Sequence, residues 1–434
     1  MSKTKSKTRS PWAWIPSLYF AEGLPYVVVM TVAVIMYKRL GISNTDIALY
    51  TSWLYLPWVI KPFWSPLVDI LKSKRWWIVT MQLFIGAGLA GVAFTVPTSL
   101  FFQSTLAFFW LLAFSSATHD IAADGFYMYG IDDSQQAYFI GIRSTFYRLA
   151  MIVGQGALVF LAGIFETTDL FGKGEDIPMA WSMIFVILAV LFLLFTFYHK
   201  FALPYPKEDE DKDVKSFSDV IQEFGETIVG FFVKKDIWVI LGVLLTYRLG
   251  ESQLVKMASP FLLDGREVGG LGLSTSDVGI VYGTIGVLFL TIGGILGGYA
   301  ASRKGLKYWL WPMVIAINLP NLVYVYLSYA LPESFVLVCA SVAVEQFGYG
   351  FGFTAYMLYQ IYVSEGKHKT AHFAFCTAFM AFGMMVPGMV SGWIQEMIGY
   401  QHFFIWVIIC TIPSFIMVKL IKIDPQFGIK KNRN

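Results

Sequence analysis

The sequence predicts an all-α integral membrane protein, with twelve transmembrane helices in two pseudo-symmetric six-helix bundles and both termini cytoplasmic. Three observations predict it. Of 434 residues, 56% are hydrophobic and only 14% charged, which leaves too little polar surface for a water-soluble chain of this length. The apolar residues gather in twelve stretches long enough to cross a membrane, each reaching the roughly 20 residues that a helix needs. Short motifs also recur between the two halves at near-constant offsets.

In chain order, the first span lies near 12–37, behind the basic stub "MSKTKSKTRSPWAW". No small-residue cleavage site follows, so it reads as a retained helix and not a signal peptide. Its "EGLPY" places Glu22 beside a glycine and a proline that let the helix bend. Spans two and three, near 46–68 and 76–96, flank the basic turn "KSKRWW"; Lys61 lies inside span two and Asp69 ends it. Span four, near 104–129, carries "SATHDIAADG" with Asp120 and Asp124. Span five, near 137–165, has Arg143 near its inner start and contains Arg148, and span six, near 179–200, completes a first bundle over 1–200.

A cytoplasmic linker follows over 201–235. Its first part is mixed charge, and then Phe217, Val220, Ile221, Phe224, Ile228, Phe231 and Phe232 recur at helical spacing behind Ser216 and Asp219, a cap-like pair. This predicts an amphipathic helix lying on the inner membrane face as a tether between the halves. The second bundle, 236–434, has spans near 236–262, 276–300, 308–328, 335–362, 371–394 and 402–423. Arg248, Glu251 and Lys256 lie in the seventh span and Glu345 in the tenth. Glycine is dense in "GGILGGY", "FGYGFG" and "VPGMVSG", where helices pack closely or bend.

Lysine and arginine set the orientation. With the N-terminus inside, one side collects Lys3, Lys5, Lys7, Arg9, Lys72, Lys74, Arg75, Arg303, Lys304, Lys307, Lys367, Lys369, Lys430, Lys431 and Arg433. The other receives Lys38, Arg39, Lys173 and Arg266. Cys339, Cys376 and Cys410 fall in apolar segments without metal-ligand spacing and read as packing residues. Neither a cofactor nor a nucleic-acid partner is implied; the expected partners are the bilayer, protons and a small solute, with the protein a monomer.

The repeat is legible at three places. "GISNTDIALY" at 41–50 matches "GLSTSDVGIVY" at 272–282, so Ser43 and Asp46 recur 231 residues on as Ser274 and Asp277. Arg75 and Trp77 recur as Lys307 and Trp309, 232 residues on, and Phe139 and Gly154 as Phe373 and Gly388, 234 residues on. A doubled six-span unit with an internal loop resembles the secondary transporters of the major facilitator type. In that fold spans one, four, seven and ten line a central pathway, and these four spans hold seven of the nine charges that lie well inside spans.

Charges at that depth cost about 2.5–3.5 kcal/mol each on insertion scales and are usually retained for a task. Asp120 and Asp124 are four residues apart, so they stack on one helix face. Two carboxylates so placed cannot both ionise cheaply, which poises the pair to carry a proton, with Arg148 or Lys61 as counter-charge. The alternative is that the pair only fastens helices together. Glu22, Glu251 and Glu345 are further cavity candidates, and Arg248, three before Glu251, either pairs with it or binds an anionic group of the solute. Asp69 and Arg143 read as gate residues. His119 and Asp124 are five residues apart, about 140° around a helix, too far to act as one catalytic pair. His119 therefore reads as a packing or hydrogen-bonding histidine, and the chain as no enzyme.

Six stretches, "EGLPY", "KPFWSPLVD", "SATHDIAADG", "YRLAMIVG", "YRLGESQ" and "GWIQEMIGY", resemble the AmpG-type muropeptide permeases and the related acetyl-CoA transporters. Lys61, Asp69, Asp120, Asp124, Arg148 and Glu251 match family positions, while Arg248 stands where relatives often carry Lys. The resemblance implies proton-driven import of GlcNAc–anhydro-MurNAc, with or without a stem peptide, across a bacterial inner membrane. The alternative on the same fold is an anionic, nucleotide-like solute such as acetyl-CoA, held by Lys61, Arg148, Arg248 and Lys256.

Overall fold

The computed structural model describes residues 9–131, 133–169, 174–206, 209, 217–366 and 368–429. Lys3, Lys5, Lys7, Lys173, Ser216, Lys367, Lys430, Lys431 and Arg433 lie outside the described residues, and so does the side chain of Asp69. The regular structure of the described residues is helical, and eight of their helices are long and apolar enough to cross a membrane. The chain divides into two compact units. One takes the chain up to Val32 and Phe63–Val220, the other Ala33–Pro62 and the chain from Ile221 on.

In the first unit, the helix Ile15–Val27 contains Pro25, which cannot donate to the helical ladder, and passes into a wide π turn at Val28–Val32. A second wide turn, Ile152–Leu158, brings Gly154 to this site; a Cβ there would lie 2.3 Å from a methyl of Val27. Ser73 caps the helix Lys74–Thr95 by accepting from the Trp76 N–H. Its first two N–H groups, from Lys74 and Arg75, are taken by Asp209 at 2.6 and 3.0 Å. The core joins Trp14, Ile15, Leu18, Ile78, Ile121 and Phe126.

The second unit contains the hairpin Ala33–Pro62, whose helix Asn44–Trp53 packs on Lys369–Ile409. The repeat appears as shared local structure. Gly41 and Gly272 both take left-handed backbone, with φ of 82° and 67°, and Ser43 and Ser274 both cap the helix that follows, each accepting from the N–H of its aspartate partner. Trp77 and Trp309 each leave a buried indole N–H without a partner. Gly305 and Gly399, at φ of 78° and 72°, bend the long helices Val287–Asn318 and Lys369–Ile409.

The amphipathic helix forms over Phe217–Phe232, and Phe224 and Phe231 on its apolar face pack on protein. Phe231 is fully buried and stacks on Phe379, with centroids 6.0 Å apart, while Phe224 packs against Phe375. His372 meets the Thr227 carbonyl at 3.2 Å. Amphipathicity demanded a cover for this face, and the helix Lys369–Ile409 supplies it.

Small residues let Val287–Asn318 approach Phe335–Ser364 closely. A Cβ on Gly350 would sit 2.0 Å from the Leu290 carbonyl oxygen, and one on Gly348 would sit 2.2 Å from that of Ala316. Gly350→Val should therefore yield no monodisperse, folded protein by detergent size-exclusion chromatography. Gly298→Ala, at a position with nothing within 4 Å, should behave as the parent.

Candidate functional site

The first unit gathers Glu22, Asp120, Asp124 and Arg143 from three helices: Ile15–Val27, Phe101–Gly130 and Asp133–Met151. Arg143 Nη2 donates to Asp124 Oδ1 at 2.6 Å. Its guanidinium lies over the Tyr19 and Tyr127 rings, 4.4 and 5.1 Å from their centroids. Glu22, buried at 7% exposure, lies within electrostatic reach of Asp120, and Tyr147 lies within reach of Glu22 and both aspartates. The helical spacing of Asp120 and Asp124 thus sends one carboxyl to an acid and the other to a cation.

The second unit builds a cluster around Arg248, Glu251 and Glu345. Arg248 sits at a break between the helices Ile237–Thr246 and Leu249–Leu263, and Nε and Nη2 donate to the two oxygens of Glu251 at 2.6 and 2.8 Å. Nη2 also donates to the Tyr349 hydroxyl at 2.7 Å. Glu345, likewise buried, accepts from Gln346 Nε2 at 2.9 Å. The break is held by Tyr247, which donates to the Gly352 carbonyl at 2.9 Å and stacks on Tyr356.

A third polar cluster seats the hairpin. Lys38 pairs with Asp264 at 2.6 Å and donates to Asn44 Oδ1 at 2.9 Å. Asn44 Nδ2 donates to Gln395 Oε1 at 2.6 Å and to the Tyr400 hydroxyl at 3.0 Å; Tyr400 in turn donates to Asp264 at 2.6 Å. Deeper in, Lys256 Nζ donates to Thr51 Oγ1 at 2.9 Å and lies 5.1 Å from the Tyr55 ring centre.

His119 is buried and hydrogen-bonded. Its Nε2 meets Gln82 Nε2 at 3.0 Å, Gln82 Oε1 meets His199 Nδ1 at 3.0 Å, and His199 Nε2 meets Ser17 Oγ at 2.9 Å. Four helices thus share one buried chain of polar groups. His119→Leu leaves a Gln82 N–H without an acceptor, a loss of about 1–3 kcal/mol. It should lower the melting temperature by several degrees in a thermal-unfolding scan, and His119→Gln, which keeps an acceptor, should recover most of that.

The sequence-derived residues therefore fall into separate groups. Glu22, Asp120, Asp124 and Arg143 meet in the first unit, and Arg248, Glu251 and Glu345 in the second. Asp124 pairs with Arg143, a residue that reads from the sequence as part of a gate with Asp69. Arg148 is half-buried in the first unit and Lys61 half-buried in the second. Sequence reasoning missed Gln82 and His199, although polar side chains deep in spans three and six were a readable signal. It also missed Lys38, Asn44 and Asp264, which lie where spans end and read as loop residues.

Comparisons with known proteins agree with this architecture. The profile described as "Major Facilitator Superfamily" matches residues 17–365. The chain is 25% identical over 420 residues to the anhydromuropeptide permease of Escherichia coli K12, covering 92% of this chain and 77% of that protein. A crystal structure of a mutant of the nucleoside transporter NupG superposes with a TM-score of 0.71 at 16% identity, over 94% of this chain and 99% of that one. The xylose transporter XylE of Escherichia coli, in an inward-open conformation, gives 0.64 at 12% identity over 95% and 96%.

Proposed function

The chain belongs to the Major Facilitator Superfamily, whose members here are transporters and not enzymes, and from that premise we propose a proton-coupled importer of muropeptides in a bacterial inner membrane. The solute is GlcNAc–anhydro-MurNAc, with or without a stem peptide, by similarity to the permease of Escherichia coli. One observation carries the proton half of this reading. Glu22 is buried within electrostatic reach of Asp120, and two carboxyls enclosed so closely are held together at least cost when one of them is protonated. Asp124, next on the same face, is held by Arg143. A proton arriving at this cluster changes what Arg143 must neutralise, which couples protonation to helix position.

Twelve spans, with both termini cytoplasmic, fit the helices. Thr275–Ala330 and Lys369–Leu420 run for 56 and 52 residues, and each bends at a left-handed glycine. At 1.5 Å per residue each is long enough for two crossings of a core of about 30 Å. The residues around 44–71 and 237–263 complete the twelve. Alternating access then asks the hairpin Ala33–Pro62 to seat on the second unit in one state and to leave it in the other. Acting as a monomer, the carrier would complete this exchange within one chain. The alternative of an anionic, nucleotide-like solute on the same fold would draw on Lys61, Arg148, Arg248 and Lys256, of which Arg248 and Lys256 engage Glu251 and Thr51 in this structure.

Proteoliposomes with an imposed inward pH gradient test the proposal. Labelled muropeptide should accumulate above its equilibrium level only while the gradient lasts. Flux indifferent to the gradient removes the proton, and absence of flux removes the solute.

A further inference from the structure

We propose that Glu251 holds the place of a carboxylate carried by the solute, and that Arg248 exchanges one for the other when the solute binds. The inference rests on the transport reading above and adds the chemical group that Arg248 recognises.

Three geometric facts support it. The two nitrogens that Arg248 gives to Glu251, at 2.6 and 2.8 Å, form the fork that fits any carboxylate. The guanidinium is also positioned independently of Glu251. Tyr349 accepts from Nη2 at 2.7 Å, and the Tyr349 and Phe353 rings lie 5.3 and 5.0 Å away, all from the helix Phe335–Ser364. Loss of Glu251 would therefore leave the cation in place. Arg248 also keeps 12% of its side chain accessible, and Glu251 only 2%, so an arriving anion meets the cation first.

Charge balance then sets the stoichiometry. The resting pair is neutral, and a second carboxylate beside it would leave one uncompensated anion in a buried site, which is costly. Facing Glu251 are Arg248, Tyr282, Glu345 and Tyr356, and among these described residues Arg248 is the cation. The displaced carboxylate therefore takes one proton from the aqueous phase: an O–H bond forms on Glu251, and the solute carboxylate occupies the guanidinium fork. One proton enters for each solute carboxylate bound.

N-acetylmuramic acid and N-acetylglucosamine differ by one lactyl ether that bears a carboxylate, and they serve as probes for the purified full-length protein. Calorimetry should find the acid bound about tenfold or more tightly than the neutral sugar. A pH indicator in weak buffer should record about one proton taken up per acid bound, the integer that charge neutrality requires. Glu251→Gln should keep the preference and take up no proton. The doubly neutral Arg248→Gln/Glu251→Gln, which strands no charge, should bind both sugars alike. Equal binding or no binding of the two sugars by the parent, binding of the acid without proton uptake, or an unchanged preference in the double variant would each overturn the proposal. The parent measurements decide even if a variant does not fold. Acid-selective binding with proton uptake but no muropeptide flux would retire the transport reading and leave this one standing.

Discussion

Gly392→Val is expected to reduce muropeptide uptake by about a hundredfold, the kinetic equivalent of the 3 kcal/mol that severe overpacking can cost. A Cβ on Gly392 would lie 1.9 Å from the Asn44 carbonyl oxygen, 2.4 Å from its carbon and 2.8 Å from the Thr45 nitrogen. All three are backbone atoms, so no rotamer change relieves the overlap. The helix Asn44–Trp53 must instead move away, which breaks the bonds from Asn44 to Gln395 and Tyr400. If seating of the hairpin is one limb of the transport cycle, that limb is closed to the variant. Ser52, on that helix and fully buried against Lys369–Ile409, supplies a second readout. In a Ser52→Cys background, a membrane-impermeant thiol reagent should label the Gly392→Val protein readily and the parent slowly. Wild-type uptake, or a cysteine as protected as in the parent, would separate the hairpin from the cycle.

The second large effect concerns the acid cluster. Asp120→Asn removes the carboxyl that lies beside Glu22, and Asp124→Asn removes the carboxylate paired with Arg143. Accumulation driven by a pH gradient should fall to the level without a gradient in both. Downhill exchange of labelled for unlabelled solute should survive in Asp120→Asn, because an amide still offers a donor and an acceptor at that position. Asp124→Asn should also impair exchange, by about tenfold to a hundredfold, because it leaves the Arg143 guanidinium without a carboxylate. The side chains of Asp124 and Arg143 keep 44% and 28% exposure, which places the effect below that of a fully enclosed pair. Asp124→Asn/Arg143→Gln should restore exchange but not accumulation. Full accumulation by Asp120→Asn/Asp124→Asn would remove this cluster from the coupling of protons to transport.

Much of this was readable from the chain alone because the signals are local. A carboxylate in an apolar run marks itself, as Glu22, Asp120 and Glu251 do. The recurrence of Gly41 with Ser43 and of Gly272 with Ser274 is legible because left-handed backbone and a side-chain cap need only a few neighbouring residues. What stayed hidden depends on how helices rotate against each other. Spacing puts Asp120 and Asp124 on one face but cannot say that one meets Glu22 and the other Arg143, when Arg148 and Lys61 offer the same charge. The segment Phe217–Phe232 displayed an apolar face, but only packing shows that His372, Phe375 and Phe379 cover it.

The allegiance of Ala33–Pro62 also limits how the molecule can be cut. A fragment begun at residue 221 would follow the obvious seam in the chain and still be amputated, for it would lack the helix lying on Lys369–Ile409. Lys256 would lose the hydroxyl of Thr51, and Gly388 and Gly392 would line an emptied groove. A stable C-terminal half therefore calls for a graft, with Ala33–Pro62 supplied as a separate peptide or spliced ahead of residue 221.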